Sequence, residues 1–122
     1  MKTILVAEDD IYIRFFLTKA LQAEGFQIFP VQNGQEALDI LSYRPDEINV
    51  LVTDVEMPVM NGEELVQEVL RRGVKLEKII FHTSALREEL YWVALKGHAH
   101  ITHITFHEKE RNFQNLIQEL KN

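Results

Sequence analysis

Asn49-Val50-Leu51-Val52-Thr53-Asp54-Val55-Glu56-Met57-Pro58-Val59-Met60-Asn61-Gly62 is the stretch from which the fold is read. Its first five residues are mostly apolar and do not alternate, as in a central strand covered on both faces of a parallel sheet. The run ends on an acid. A Pro-bearing loop follows, and Asn61-Gly62 leads into Glu63-Glu64, a helix N-cap with an acidic first turn.

Working outward, four more short strand-like runs appear: Thr3–Ala7, Gln27–Val31, Lys78–Thr83 and, roughly, His100–Ile104. Helical stripes lie between and after them. Phe16, Leu17, Ala20 and Leu21 form one. Leu65, Val66, Val69 and Leu70 form another, and Phe113, Leu116, Ile117 and Leu120 a third. Gly25, Gly73 and Gly97 follow helical stretches, and Asn33 precedes one. Five strand–helix alternations predict an α/β fold, a five-stranded parallel sheet with helices on both faces. Spacing does not give strand order. The flavodoxin-like order 2-1-3-4-5 is the common solution, and it makes strands one and three neighbours. Run five, rich in His and Thr, reads as an edge.

The 122 residues fit one domain, 1–122, with 46% hydrophobic and 26% charged residues. Thirteen Lys+Arg against 19 Asp+Glu give a net charge of −6, which argues against nucleic acid as a direct partner. There is no cysteine, so disulfides, thiol catalysis and Cys-based zinc sites are excluded. No apolar stretch approaches the roughly 20 residues of a membrane span, and the first residues lack a secretory signal's apolar core. The expectation is a cytoplasmic protein that does not engage membranes.

Strand one runs into Glu8-Asp9-Asp10 and strand three into Asp54. Ligands of doubly wound sheets bind at the carboxyl ends of the strands, where the order reverses. With strands one and three adjacent, Glu8, Asp9 and Asp54 converge there. Like charges at ~4 Å repel by about 1 kcal/mol in water and more in a cleft. A hard dication relieves this, and oxygen ligands suit Mg²⁺. Asp10 reads instead as the cap of the helix starting near Ile11. The same loop lacks the Gly, Ser or Thr that would cradle a nucleotide phosphate.

The strings Ile4-Leu5-Val6-Ala7-Glu8-Asp9-Asp10 and Asp54-Val55-Glu56-Met57-Pro58-Val59-Met60-Asn61-Gly62 resemble the receiver domain of two-component response regulators. The second matches an Asp-x-x-Met-Pro-x-Met-(Asp/Asn)-Gly pattern at every fixed position. The resemblance implies a (βα)5 flavodoxin-like receiver fold and Asp54 as acceptor of a phosphoryl group from a partner histidine kinase or phosphotransfer protein. It implies Mg²⁺ on Glu8, Asp9, Asp54 and the Glu56 backbone carbonyl. One of Thr83 and Ser84 would contact the phosphoryl group. Output would pass to a protein partner through the face of the fourth helix, fifth strand and fifth helix, and the chain would not be a turnover enzyme.

Strand five departs from the family pattern, which has a Lys followed by Pro and an aromatic a few residues earlier. With the strand at His100–Ile104, the Lys position falls on Ile104 or His103 and the aromatic on Ile101 or His100. Lys96 and Lys109 read as poor substitutes. This raises a second reading, a degenerate receiver acting as a constitutive interaction module without a switch. A third is an Asp54-nucleophile phosphohydrolase with Glu56 as general acid. His98, His100, His103 and His107 cluster near this strand; a solvated edge is the default reading, a transition-metal site the rarer one. Leu90, Tyr91, Trp92 and Leu95 read mainly as core.

Overall fold

A computed structural model describes residues 2–84, 104–110 and 112–122. The strands are β1 (Thr3–Ala7), β2 (Gln27–Val31), β3 (Val50–Thr53), β4 (Lys78–Thr83) and β5 (Ile104–Glu108). The helices described are α1 (Ile11–Ala23), α2 (Gly34–Tyr43), α3 (Gly62–Arg71) and α4 (Gln114–Lys121). All strand pairs are parallel, in the order β2-β1-β3-β4-β5. The segment predicted to carry Leu90, Tyr91, Trp92 and Leu95 lies outside the described residues, as do Gly97, His98, His100 and His103.

Alternation along the strands divides the core in two. Leu5, Leu51, Ile79 and Phe81 face one side of the sheet and pack on Leu38 and Leu41 of α2 and Leu65, Val66 and Val69 of α3. Ile4, Val6, Val50, Val52 and Ile80 face the other, against Leu17 and Leu21 of α1 and Leu116 and Leu120 of α4. Each such side chain contributes about 1.5–3 kcal/mol on burial. Phe16 departs from expectation. Grouped with the α1 stripe in the sequence, it is 58% exposed, because the stripe that turns inward is Leu17–Leu21.

The predicted ends hold. Gly25 and Gly73 follow α1 and α3 at φ 94° and 68°. Asp10 caps α1, its carboxylate accepting from the Tyr12 and Ile13 amides at 2.9 and 3.0 Å. Asn33 caps α2, and Asn61 forms a reciprocal capping box with Glu64.

The fifth strand corrects the sequence reading: it begins at Ile104 rather than ending there. The register pairs Ile79 with Ile104 and Phe81 with Phe106, so both β5 residues meet the core. The Phe81 and Phe106 rings stack with centroids 5.0 Å apart. Thr105 and His107, on the opposite face, look polar in sequence but bond to the Glu119 carboxylate of α4, Thr105 donating at 2.8 Å and His107 Nε2 lying 2.5 Å away. His107, expected on a solvated edge, is therefore partly buried.

Candidate functional site

The β1–β3 register aligns Ala7 with Thr53. The next residues, Glu8 and Asp54, thus leave the sheet side by side, and the Asp54 amide still donates to the Ala7 carbonyl at 2.8 Å. On the other side the Lys109 amide donates to the Thr83 carbonyl at 2.7 Å, one step past the end of β5. The strand ends enclose a cavity of about 490 Å³ lined by Glu8, Asp9, Asp10, Ile13, Asp54, Glu56, Thr83, Ser84 and Lys109.

Oxygens of Glu8, Asp9 and Asp54 lie within 4.8 Å of one another. Glu8 is 2% and Asp54 7% exposed, while Asp9 is exposed. The Lys109 ammonium reaches Glu8 Oε1 at 2.8 Å and Asp54 Oδ2 at 3.0 Å. The Val55 amide donates to Asp54 Oδ1 at 2.7 Å, and the Asp10 amide to Glu8 Oε2 at 3.1 Å. Thr83 and Ser84 both line the cavity, so both predicted hydroxyl candidates stand at its rim, Thr83 buried and Ser84 exposed. Glu56 lines the same cavity.

This arrangement overturns the reading of Lys109 as a poor substitute, and with it the placement of Ile104 or His103 at the lysine position. Ile104 is buried at the start of β5, and His103 lies outside the described residues. The error follows from placing the strand too early. Once β5 ends at Glu108, Lys109 follows it as Glu8 follows β1, and Phe106 supplies the aromatic three residues before.

The loop after Asp54 is held by close backbone approach. The Gly62 amide donates to the Val55 carbonyl at 2.8 Å. A Cβ on Gly62 would stand 2.1 Å from the Asp54 carbonyl oxygen, so only glycine fits. Val59 absorbs the turn at φ 69°. The Met60 carbonyl accepts from the Gly34 amide at 2.9 Å, tying the loop to α2.

Electrostatics follow from burial. Desolvation, with the Asp54 charge adding to it, raises the Glu8 carboxyl to about 7 against the hydrogen bonds from Lys109 and Asp10. Burial works against the Lys109 charge, but hydrogen bonds to Glu8 and Asp54 outweigh it and hold the ammonium above the ordinary lysine value. Behind them, burial pushes the His82 imidazole down to about 4, the Lys109 charge acting in the same direction. His82 is 2% exposed, its ring edge-on to Phe113.

The donor set fits a hard divalent cation. All side-chain ligands are carboxylate oxygens, which suit Mg²⁺. With every group ionised, three carboxylates and one ammonium leave two negative charges, matching one dication. A bound cation would also draw the proton from Glu8.

Comparison with known proteins agrees with this geometry. The response regulator receiver domain family matches residues 4–121. The chain is 41% identical over 86 residues to the response regulator receiver protein CpdR of Brucella abortus (strain 2308), covering 68% of this chain and 67% of that protein. It is 37% identical over 79 residues to the sensor kinase CckA of the same organism, spanning 65% of this chain but only 8% of that kinase. Among solved structures, the response regulator TrrA of Thermotoga maritima in complex with Mg²⁺-BeF superposes with a TM-score of 0.82 at 31% identity, over 99% of this chain and 97% of that one. Vibrio cholerae CheY4 superposes with a TM-score of 0.83 at 25% identity, over the same shares. The paired acids at the ends of β1 and β3, the sheet order and these matches lead to one conclusion: the chain belongs to the response regulator receiver domain family of two-component signalling.

Proposed function

We propose that the chain is a phosphoacceptor: Asp54 takes a phosphoryl group from the phosphohistidine of a histidine kinase or phosphotransfer protein, with Mg²⁺ held by Glu8, Asp9, Asp54 and the Glu56 backbone carbonyl. The observation that carries this is the convergence of three carboxylates within 4.8 Å, with Lys109 bonded to two of them. In the step, an Asp54 carboxylate oxygen attacks phosphorus. The phosphorus–nitrogen bond to the donor imidazole breaks, and its electron pair returns to that nitrogen. Bound Mg²⁺ supplies neutralisation of charge on the transferring oxygens. Lys109 holds a second positive charge against the same group, while Thr83 or Ser84 donates a hydroxyl from the opposite rim. The Val55 amide fixes the carboxylate plane, so little reorganisation remains.

The protein so read is a cytoplasmic signalling element rather than a turnover enzyme, with output through a protein partner. No helix among the described residues is long and apolar enough to cross a membrane. The constitutive-module reading drew its force from a missing lysine, and Lys109 removes that motive.

Intact-mass spectrometry after incubation with acetyl phosphate tests the proposal. One added phosphoryl group that requires both Mg²⁺ and Asp54, and is lost in Asp54→Asn, supports it. No adduct in a folded, Mg²⁺-binding protein, with none from a histidine kinase either, favours the constitutive module. Sustained hydrolysis of an aryl phosphate would favour the phosphohydrolase, with Glu56 as acid.

A further inference from the structure

We propose that Arg14 is a positioning residue for the acidic site: its guanidinium fixes the peptide planes of Glu8 and Asp9 and so aims the two β1–α1 carboxylates at the cation shared with Asp54. This rests on the phosphoacceptor reading above.

Glu8 and Asp9 cross between a strand and a helix. Their carbonyls therefore belong neither to the β1 ladder nor to the α1 hydrogen-bond series, and no backbone amide among the described residues donates to either. Arg14 fills that gap. Its Nη1 donates to the Glu8 carbonyl at 2.7 Å and lies 3.4 Å from the Asp9 carbonyl. The platform is firm. The Arg14 amide donates to the Asp10 carbonyl at 2.9 Å, in the turn that the Asp10 side chain caps.

The two carboxylates depend on this to different degrees. Glu8 is also held by Lys109 and by the Asp10 amide. The Asp9 side chain is exposed, and among the described residues no hydrogen bond or ion pair holds its carboxylate. Its direction is set by its own peptide, which is the one Arg14 grips. Arg14 does not line the acidic cavity; it borders a separate groove with Ile11, Phe15, Thr18, Lys19, Gln22 and Pro30. It thus acts on the cation through the ligands, as outer partners of metal ligands do.

The test is Mg²⁺ titration by calorimetry of the wild type, Arg14→Ala and Arg14→Lys, at about 0.05 M and about 0.5 M KCl. Positioning predicts roughly tenfold weaker Mg²⁺ binding in Arg14→Ala, retained at high salt. Arg14→Lys, with the charge on a shorter reach, should behave like the alanine variant. Charge alone acts with the opposite sign, since removing a cation beside a dication site tightens Mg²⁺ binding, most at low salt; tighter binding in Arg14→Ala, or full restoration by lysine, overturns the proposal. A purely structural role shifts the thermal midpoint of the EDTA-treated protein and leaves the Mg²⁺ affinity of the folded protein unchanged, which also overturns it. A wild type that binds no Mg²⁺ overturns the phosphoacceptor reading and this proposal together. Wild-type binding that both variants retain overturns only the role of Arg14.

Discussion

Replacing His82 with leucine should change how the metal-free protein responds to acid. The folded chain holds this imidazole at about 4 against an ordinary 6.5, chiefly by burial. The unfolded chain therefore takes up a proton below 6.5 while the folded chain resists until about 4. Stability from this group is complete above 6.5 and is lost as pH falls through that window. A difference of about 2.5 units corresponds to roughly 3 kcal/mol. Glu8 acts with the opposite sign. Raised from 4.5 to about 7, it takes its proton earlier in the folded chain, so acid between those values stabilises the fold. The two effects offset in the wild type, whose own pH curve is a poor probe. The difference between His82→Leu and wild type cancels Glu8 and isolates His82. Urea unfolding followed by circular dichroism, in EDTA from about pH 7.5 to about pH 4, should show that difference grow by roughly 3 kcal/mol in favour of the variant. At neutral pH the variant should already gain about 1 kcal/mol, because His82 Nε2 is buried with no hydrogen-bond partner among the described residues. A difference that stays constant across the range refutes the argument.

Lys109→Met leaves Glu8 and Asp54 without their shared counter-charge. In EDTA at about pH 8 it should lose about 3 kcal/mol, and less at acid pH, where Glu8 keeps its proton; thermal melts at both pH values check this. Acetyl phosphate labelling of the same variant should be slower at saturating Mg²⁺, read from the time course by intact mass. Gly62→Ala forces a Cβ to 2.1 Å from the Asp54 carbonyl, so it should destabilise by about 3 kcal/mol or displace the loop and suppress labelling. Asn61→Ala removes the reciprocal cap of α3 and should cost about 1 kcal/mol in urea unfolding while Asp54 still labels.

Most of the fold was legible because four strands are plain apolar runs and the helix ends carry Asn, Asp and Gly where physics wants them. Glu8, Asp9 and Asp54 were legible for the same reason, since each follows a run whose end is unmistakable. Strand five hid its own position. Its Thr105, His107 and Glu108 look like surface, because the partner that makes two of them acceptable inside, Glu119, lies on α4 and far along the chain. Misplacing that strand misplaced Lys109, whose role depends on where β5 stops. Phe16 was misread more simply: adjacency to Leu17 puts it near the stripe without putting it on the inward side. Arg14 gave no sign at all, since a guanidinium that bonds backbone carbonyls has no partner residue type to find.

The Lys109–Thr83 backbone bond has a mechanical consequence. It hangs one wall of the cavity, Thr83, Ser84 and Lys109, from the last rung of the β4–β5 ladder. The Asp54–Ala7 bond hangs the opposite wall, Glu8 and Asp54, from the β1–β3 ladder. Each wall is one jaw of a vise, and the β3–β4 ladder joins the two. The Lys109 stem, with its several rotatable bonds, spans the gap between them. A change in the charge held between them is then absorbed by torsions of one side chain, and the spacing within each jaw stays as the sheet set it.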